Sequence, residues 1–99
     1  NIYPQEVENA LALHPKILDV AVIGVPDPEM GEQVKAVVQL REGVTPSDEL
    51  AAEIIGYVRE RIAHYKAPKT VDFVDELPRS ATGKLVKRAL VERYASARS

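Results

Sequence analysis

The alternation of apolar and polar residues predicts a pair of neighbouring strands in the first half of the chain. Ile17 to Val25 is apolar at odd and even positions alike, which is typical of a strand buried on both faces, so we expect it to be central in its sheet. Val34 to Leu40 places apolar residues at every second position, which predicts a strand with one buried face. A turn with two prolines and a glycine separates the two runs, so we expect an antiparallel hairpin.

Three other segments repeat their apolar residues at the three-to-four spacing of a helix. The predicted helices run from Pro4 to His14 at most, from the cap region at Thr45 to Ile62, and from Leu85 to Tyr94, with a short strand over Thr70 to Val74. Thr45 offers a hydroxyl N-cap, and Pro46 suits the first helical position. The order helix, strand, strand, helix, strand, helix predicts an α+β fold, a small three-stranded mixed or antiparallel sheet packed with about three helices.

Composition narrows the class of protein. A chain of 99 residues allows one domain, residues 1–99, with one core. The absence of cysteine excludes a disulfide scaffold and a thiolate metal site, and two histidines far apart in sequence make no zinc site, so we expect no bound metal. No apolar run approaches the roughly 18 residues that a membrane-spanning helix needs, so we expect no membrane-spanning segment.

The charge is distributed unevenly along the chain. Residues 1–50 carry nine acids and three bases, whereas residues 51–99 carry six acids and ten bases. A basic second half could attract the phosphates of a nucleotide or a coenzyme, although a solvated helix face explains the same charges. Aromatic residues are only 5% of the chain and do not alternate with the basic ones, so we expect no nucleic-acid partner.

The stretch Pro78 to Lys84 carries the strongest candidate chemistry. Its Ser, Thr and Gly residues are typical of a turning or flexible loop, and Lys84 ends that loop as a point charge suited to phosphate. The alternative is a solvated lysine near a helix start. A phosphate-binding loop with the spacing Gly, four residues, Gly-Lys-Ser/Thr is excluded, because Pro78 replaces the first glycine and Leu85 replaces the hydroxyl residue.

Five ordered motifs carry a resemblance to a known family. Leu77 to Leu85, Leu-Pro-Arg-Ser-Ala-Thr-Gly-Lys-Leu, resembles the final signature of the acyl-adenylate-forming enzymes, which include acyl-CoA synthetases, adenylation domains of peptide synthetases and firefly luciferase. Asn1 to Glu8 is similar to the second half of another signature of the same family, in its acyl-CoA synthetase form. The remaining matches are Val25-Pro26-Asp27, Gly31-Glu32 and Tyr65-Lys66-Ala67-Pro68.

The resemblance implies a two-step ligase, of which this chain is the mobile C-terminal lid domain. The whole enzyme would use ATP, Mg²⁺ and coenzyme A, activate a carboxylic acid in fatty acid metabolism and work in the cytoplasm. The lid would work against its own N-terminal domain, bind no cofactor tightly by itself and be inactive alone. Because Asn1 is not an initiator methionine, and the family's glycines before Asn-Ile-Tyr-Pro are missing, we expect a piece of a longer protein.

The resemblance also assigns residues. Lys84 matches the family's adenylation lysine, Gly83 belongs to its loop, and Lys66 would contact a phosphate of coenzyme A. For Lys66 the alternative is a lysine that complements the dipole at a helix C-terminus. A lysine acetyltransferase acting on Lys84 would be a further partner, because acetylation removes the positive charge.

Two other functions stay open at this point. The chain could be the lid of an adenylation enzyme that loads a carrier protein instead of coenzyme A. It could also be a non-catalytic small-molecule-binding or interaction module. The sequence does not determine which carboxylic acid is used, because the family's acyl pocket belongs to the N-terminal domain.

Overall fold

A three-stranded sheet with helices on both faces forms the part of the chain that the structure describes. The structure is a computed structural model that describes residues 3–97, with the side chains of residues 3–95. The elements in chain order are α1 (Pro4–Leu11), β1 (Ile17–Asp27), β2 (Gly31–Leu40), α2 (Asp48–Arg61), a 3₁₀ turn (His64–Lys66), β3 (Thr70–Val74) and α3 (Lys87–Ala97). The predicted α+β class is confirmed. Asn1 and Ile2 of the first motif lie outside the described residues.

The strands are ordered β1-β2-β3, so the sheet is mixed. β1 pairs with β2 in the predicted antiparallel hairpin, and β2 pairs with β3 in parallel across the α2 connection. The predicted position of β1 at the centre is wrong, because β1 is an edge strand. It is apolar on both sides because α1 packs on one face and α3 on the other.

The prediction of one buried face for β2 is also wrong. Val37, which points away from the side of Ala36 and Val38, is 0% exposed like them. β2 is the central strand, so both of its faces are covered by helices. On the face of Val37 the next side chains along β2 are the polar Lys35 and Gln39, which concealed its buried position in the sequence.

Two clusters of buried side chains lie on opposite faces of the sheet. The larger cluster packs α1 and α2 against the sheet, and the smaller packs α3 and the approach to the lysine loop against the other face. Members of the larger cluster include Val7, Leu11, Val22, Val38, Ile54 and Val58. The smaller cluster consists of Ala21, Ile23, Val25, Val37, Leu77 and Leu90.

Two helix starts differ from the prediction. Ser47, not Thr45, caps α2, since its extended backbone directs Oγ to accept the N–H of Leu50 at 3.0 Å. α3 begins at Lys87 rather than Leu85, because Leu85 still pairs with Arg79 in an isolated antiparallel bridge. The lysine loop is therefore closed by this bridge before the helix starts.

One amide on the free edge of β1 is covered by side chains of the two terminal helices. Glu8 of α1 accepts the N–H of Val22 at 2.8 Å, and Lys87 of α3 lies 2.7 Å from the same carboxylate oxygen. A paired edge amide cannot recruit another strand. This contact also joins the first sequence motif to the segment that follows Lys84.

Candidate functional site: a lysine turn and a cationic groove

Residues Ser80 to Lys84 form a hydrogen-bonded turn. The N–H of Ser80 donates to the carbonyl of Lys84 at 2.8 Å, and the N–H of Gly83 donates to the carbonyl of Ser80 at 2.9 Å. Ser80 Oγ accepts the N–H of Lys84 at 3.2 Å and lies 3.0 Å from the hydroxyl of Thr82. Gly83 has φ +86°, in the left-handed region that favours glycine. Of the two alternatives that the composition predicted, a turning or a flexible loop, the structure shows a turn with a defined shape.

Lys84 is exposed and makes no ion pair within residues 3–97. Its neighbour in the turn, Arg79, differs: its guanidinium pairs with Asp19 and also donates to the carbonyl of Gly83 at 2.8 Å. The Lys84 ammonium is therefore a cation on a defined turn that no acidic group in the described part of the chain pairs with.

Lys66 lies in a different environment. It belongs to the 3₁₀ turn after α2, and its ammonium lies 2.9 Å from Glu6 of α1 and 4.6 Å from the ring centre of Tyr3. The hydrogen bond that Lys66 donates to the Glu6 carboxylate raises the pKa of Lys66 above its ordinary value. Its charge is balanced by a partner on α1, and no contact in the described part of the chain joins Lys66 to Lys84.

A groove that the sequence did not reveal lies beside Lys66. It encloses about 510 Å³, and its lining residues are Met30, Glu32, Gln33, Val34, Arg59, Tyr65, Ala67, Pro68 and Lys69. Met30 and Tyr65 are 70% and 73% exposed, which is unusual for such large side chains. Arg59 and Lys69 are exposed cations at the same place, and Arg59 has no ion-pair partner in the range 3–97. The sequence offered one sign of this groove, the aromatic residue Tyr65 in the motif Tyr65-Lys66-Ala67-Pro68.

His14 has a packing role. Its ring is 3% exposed, Nδ1 accepts the N–H of Lys16 at 3.1 Å, and Nε2 lies 3.1 Å from a carboxylate oxygen of Glu53 on α2. The ring edge also meets Tyr57 at 4.7 Å between centroids. These contacts fix the end of α1 against α2, so His14 belongs to the helix interface.

The described residues offer no metal site of their own. Between residues 3 and 97, no group of three or more histidine and acidic side chains is arranged to hold a metal ion. A helix both long and apolar enough to cross a membrane is also missing from that range.

Comparison with known proteins places the fold and the turn in a family. A family model for the AMP-binding enzyme C-terminal domain matches residues 6–84, and the chain belongs to that family. A medium/long-chain-fatty-acid–CoA/3-oxocholest-4-en-26-oate–CoA ligase of Mycobacterium tuberculosis is 53% identical over 83 residues, which are 84% of this chain and 15% of the ligase. The resemblance stated from the motifs is confirmed.

Solved structures agree with this assignment. An acyl-CoA synthetase of Brucella canis superposes with a TM-score of 0.92 and 38% identity, over 97% of this chain and 18% of that one. ATP-bound MatB from Rhodopseudomonas palustris superposes with a TM-score of 0.87 and 37% identity, over 100% of this chain and 19% of that one. The chain thus spans less than a fifth of the length of these proteins. MatB is solved with ATP bound, and the Mycobacterium tuberculosis relative is a CoA ligase. Mg²⁺ and a cytoplasmic location stay predictions for this protein.

Proposed function

We propose that this chain is the mobile C-terminal domain of an acyl-CoA synthetase and that Lys84 acts in its adenylation step. In that step a carboxylate oxygen attacks the α-phosphorus of ATP, pyrophosphate leaves, and an acyl-adenylate forms. Negative charge grows on the phosphoryl oxygens during the attack, and a positioned ammonium stabilises it. The observation that carries the proposal is the exposed Lys84, which has no ion-pair partner among residues 3–97 and lies on a turn of defined shape.

The residues of this domain would give ATP one contact and would not form a complete nucleotide-binding site. Lys84 supplies a single cation, and the turn places small side chains beside it, so a phosphate can approach the ammonium. The rest of the nucleotide and the carboxylic acid would be held by an N-terminal domain. Mg²⁺, when bound, would neutralise phosphate charge, and its ligands would come from outside residues 3–97.

The second step transfers the acyl group to a thiol. The thiolate sulfur attacks the acyl carbon, the acyl–oxygen bond breaks, and AMP leaves. We infer that the groove of Arg59 and Lys69, rather than Lys66, receives the phosphates of coenzyme A. Lys66 already has Glu6 as its partner, whereas Arg59 has no ion-pair partner among residues 3–97 and Tyr65 offers an exposed ring for stacking.

Control by acetylation and a cytoplasmic location follow as parts of the same proposal. Lys84 is exposed and follows Ser80, Ala81, Thr82 and Gly83, which are all small, so a lysine acetyltransferase could reach it. Acetylation would remove the charge and stop adenylation. A chain without cysteine suits the reducing cytoplasm.

The proposal is tested by carboxylate-dependent exchange of pyrophosphate into ATP in the intact ligase. Lys84→Ala is expected to lower the exchange rate by about 10²–10³-fold, the usual loss when one such donor is removed. The matched control is Arg88→Ala, which removes another exposed positive charge four residues away, on α3. Exchange at the wild-type rate in Lys84→Ala would contradict the proposal.

The choice of acceptor has its own test. The intact ligase is supplied with acyl-adenylate and offered either coenzyme A or a pantetheinylated carrier protein. We expect thioester with coenzyme A, in agreement with the ligases that the chain resembles. Transfer only to the carrier would favour the alternative function, and turnover by residues 1–99 alone would contradict the role of a lid.

A further inference from the structure

We propose that Arg79 is a positioning residue for Lys84, holding the turn against β1 through Asp19. The inference rests on the proposed function of Lys84 and adds a second residue to the same step. Its basis is one guanidinium that bridges a carboxylate on the sheet and the backbone carbonyl immediately before Lys84.

The bridge uses both ends of the guanidinium fork. Nε donates to Asp19 Oδ2 at 3.2 Å, and Nη2 donates to the same oxygen. Nη1 points the other way and donates to the carbonyl of Gly83 at 2.8 Å. Arg79 therefore connects β1 directly to the peptide group from which Lys84 extends.

Asp19 is itself fixed on the strand. Its Oδ1 accepts the N–H of Val20 at 2.9 Å, which orients the carboxylate. Asp19 also follows a register shift in the β1–β2 ladder, between Ile17 and Asp19, and such irregularities redirect the side chains beside them. The anchor for Arg79 thus belongs to the sheet rather than to another loop.

The other hydrogen bonds of the turn do not give this connection. The bonds among Ser80, Thr82, Gly83 and Lys84 set the shape of the turn, and the bond from Val86 to Pro78 closes its base. Leu77 and Leu85 pack the two ends of the turn against the core. The Arg79 bridge adds a polar contact with the sheet directly beside Lys84. A side chain as long as lysine magnifies a small displacement of the turn at its ammonium, so this bridge helps to fix where the charge lies.

Lysine at position 79 could not replace this function. An ammonium is a compact point charge, whereas the planar guanidinium offers donors in fixed directions to two acceptors at once. The Arg79 and Asp19 side chains are 42% and 26% exposed, so the pair adds little to stability and its loss is expected to leave the domain folded. Position and stability can therefore be separated by experiment.

The test compares Arg79→Lys, Asp19→Asn and the matched control Arg88→Lys in the intact ligase. Single-turnover formation of acyl-adenylate is measured beside thioester formation from synthetic acyl-adenylate. We expect adenylation to slow in Arg79→Lys by up to about 10²-fold, the loss that a displacement of about 1 Å can cause. Asp19→Asn is expected to show a smaller loss, while thioester formation, the KM for ATP, the thermal midpoint and the control stay near wild type.

A second measurement asks whether Arg79 acts through Lys84. In a Lys84→Ala background, Arg79→Lys is expected to add almost no further loss, because two residues that serve one contact are not additive. Full additional loss, or equal slowing of both half-reactions, would mean that Arg79 is only structural and would overturn the inference.

The failures of the two proposals are distinguishable. If Lys84→Ala abolishes adenylation and Arg79→Lys does not slow it, the inference is wrong and the proposed function stands. If Lys84→Ala leaves adenylation intact, the proposed function is wrong and the inference is lost with it.

Discussion

The two cationic regions of this domain are built in different ways. The turn at Lys84 offers one ammonium, and its backbone is fixed by hydrogen bonds and by the bridge from Arg79 to β1. The groove offers two cations on long side chains, Arg59 from α2 and Lys69 from the residue before β3, beside the exposed Met30 and Tyr65. The turn places a single charge at a defined position, whereas the groove presents a wider surface that carries several charged side chains and an aromatic ring.

This difference corresponds to two chemical tasks. Stabilising charge on a reacting phosphoryl group depends on the position of the ammonium, since the benefit exists only in the transition state. Holding a coenzyme by its phosphates depends on total attraction and tolerates movement of each side chain. We therefore expect loss of the turn lysine to reduce the rate of adenylation and loss of a groove cation to weaken binding.

Each region is supported by a different face of the sheet, and two core substitutions exploit this. Leu90→Ala on the α3 face and Ile54→Ala on the α2 face each remove a fully buried side chain and should each cost about 2–5 kcal/mol of unfolding free energy. In the intact ligase, Leu90→Ala is expected to impair adenylation more, and Ile54→Ala the use of coenzyme A.

Chemical denaturation of the domain and the two half-reactions measure these effects. Leu13→Ala is the control, because Leu13 is 76% exposed and its loss should change stability by about 0.5 kcal/mol at most. Identical effects of both core substitutions on both half-reactions would remove the separation between the faces.

Arg59→Ala tests the groove with a smaller effect. The KM for coenzyme A is expected to rise about tenfold with little change in adenylation, as for loss of one hydrogen bond to a charged group. Arg61→Ala is the matched control, since Arg61 stacks on the Tyr57 ring at 3.4 Å and donates to the Tyr57 carbonyl. Steady-state kinetics with coenzyme A as the varied substrate decide, and equal KM values for the two variants would contradict the groove assignment.

Glu6→Gln tests the internal role of Lys66 and should have the smallest effect. Glu6 raises the pKa of Lys66, so the pair stabilises the fold below the ordinary lysine pKa of 10.5 and loses this contribution as pH rises through the raised value. The denaturation midpoint of Glu6→Gln should lie slightly below wild type at neutral pH and approach it at strongly alkaline pH. Glu42→Gln, at an exposed position, is the control; a difference that persists at high pH would have another cause.

The sequence predicted the elements of the fold better than their arrangement. The antiparallel pairing of β1 with β2 was predictable, because two apolar runs flank a short turn that contains proline and glycine. The order of the strands does not follow, since β3 is only five residues long and pairs with β2 across the whole of α2. The helix on each side of β1 made an edge strand look like a central one.

The candidate site was predictable in the same uneven way. The motif around Gly83 and Lys84 was visible in the sequence, since it is contiguous and requires a positive φ at the glycine. The pairs of Lys66 with Glu6 and of Arg79 with Asp19 each join residues 60 positions apart. No pattern in a single sequence connects such distant residues. The pairing of Lys66 and the anchoring of Arg79 could therefore be seen only in the folded structure.

The central claim is that Lys84 serves only the step in which phosphorus reacts. The most direct measurement is a single-turnover experiment on Lys84→Ala in the intact ligase, with each half-reaction started separately. From ATP and acid, acyl-adenylate formation should fall by about 10²-fold or more. From synthetic acyl-adenylate and coenzyme A, thioester formation should proceed near the wild-type rate, because AMP leaves with its phosphate chemistry unchanged. Equal losses in both half-reactions would contradict the account.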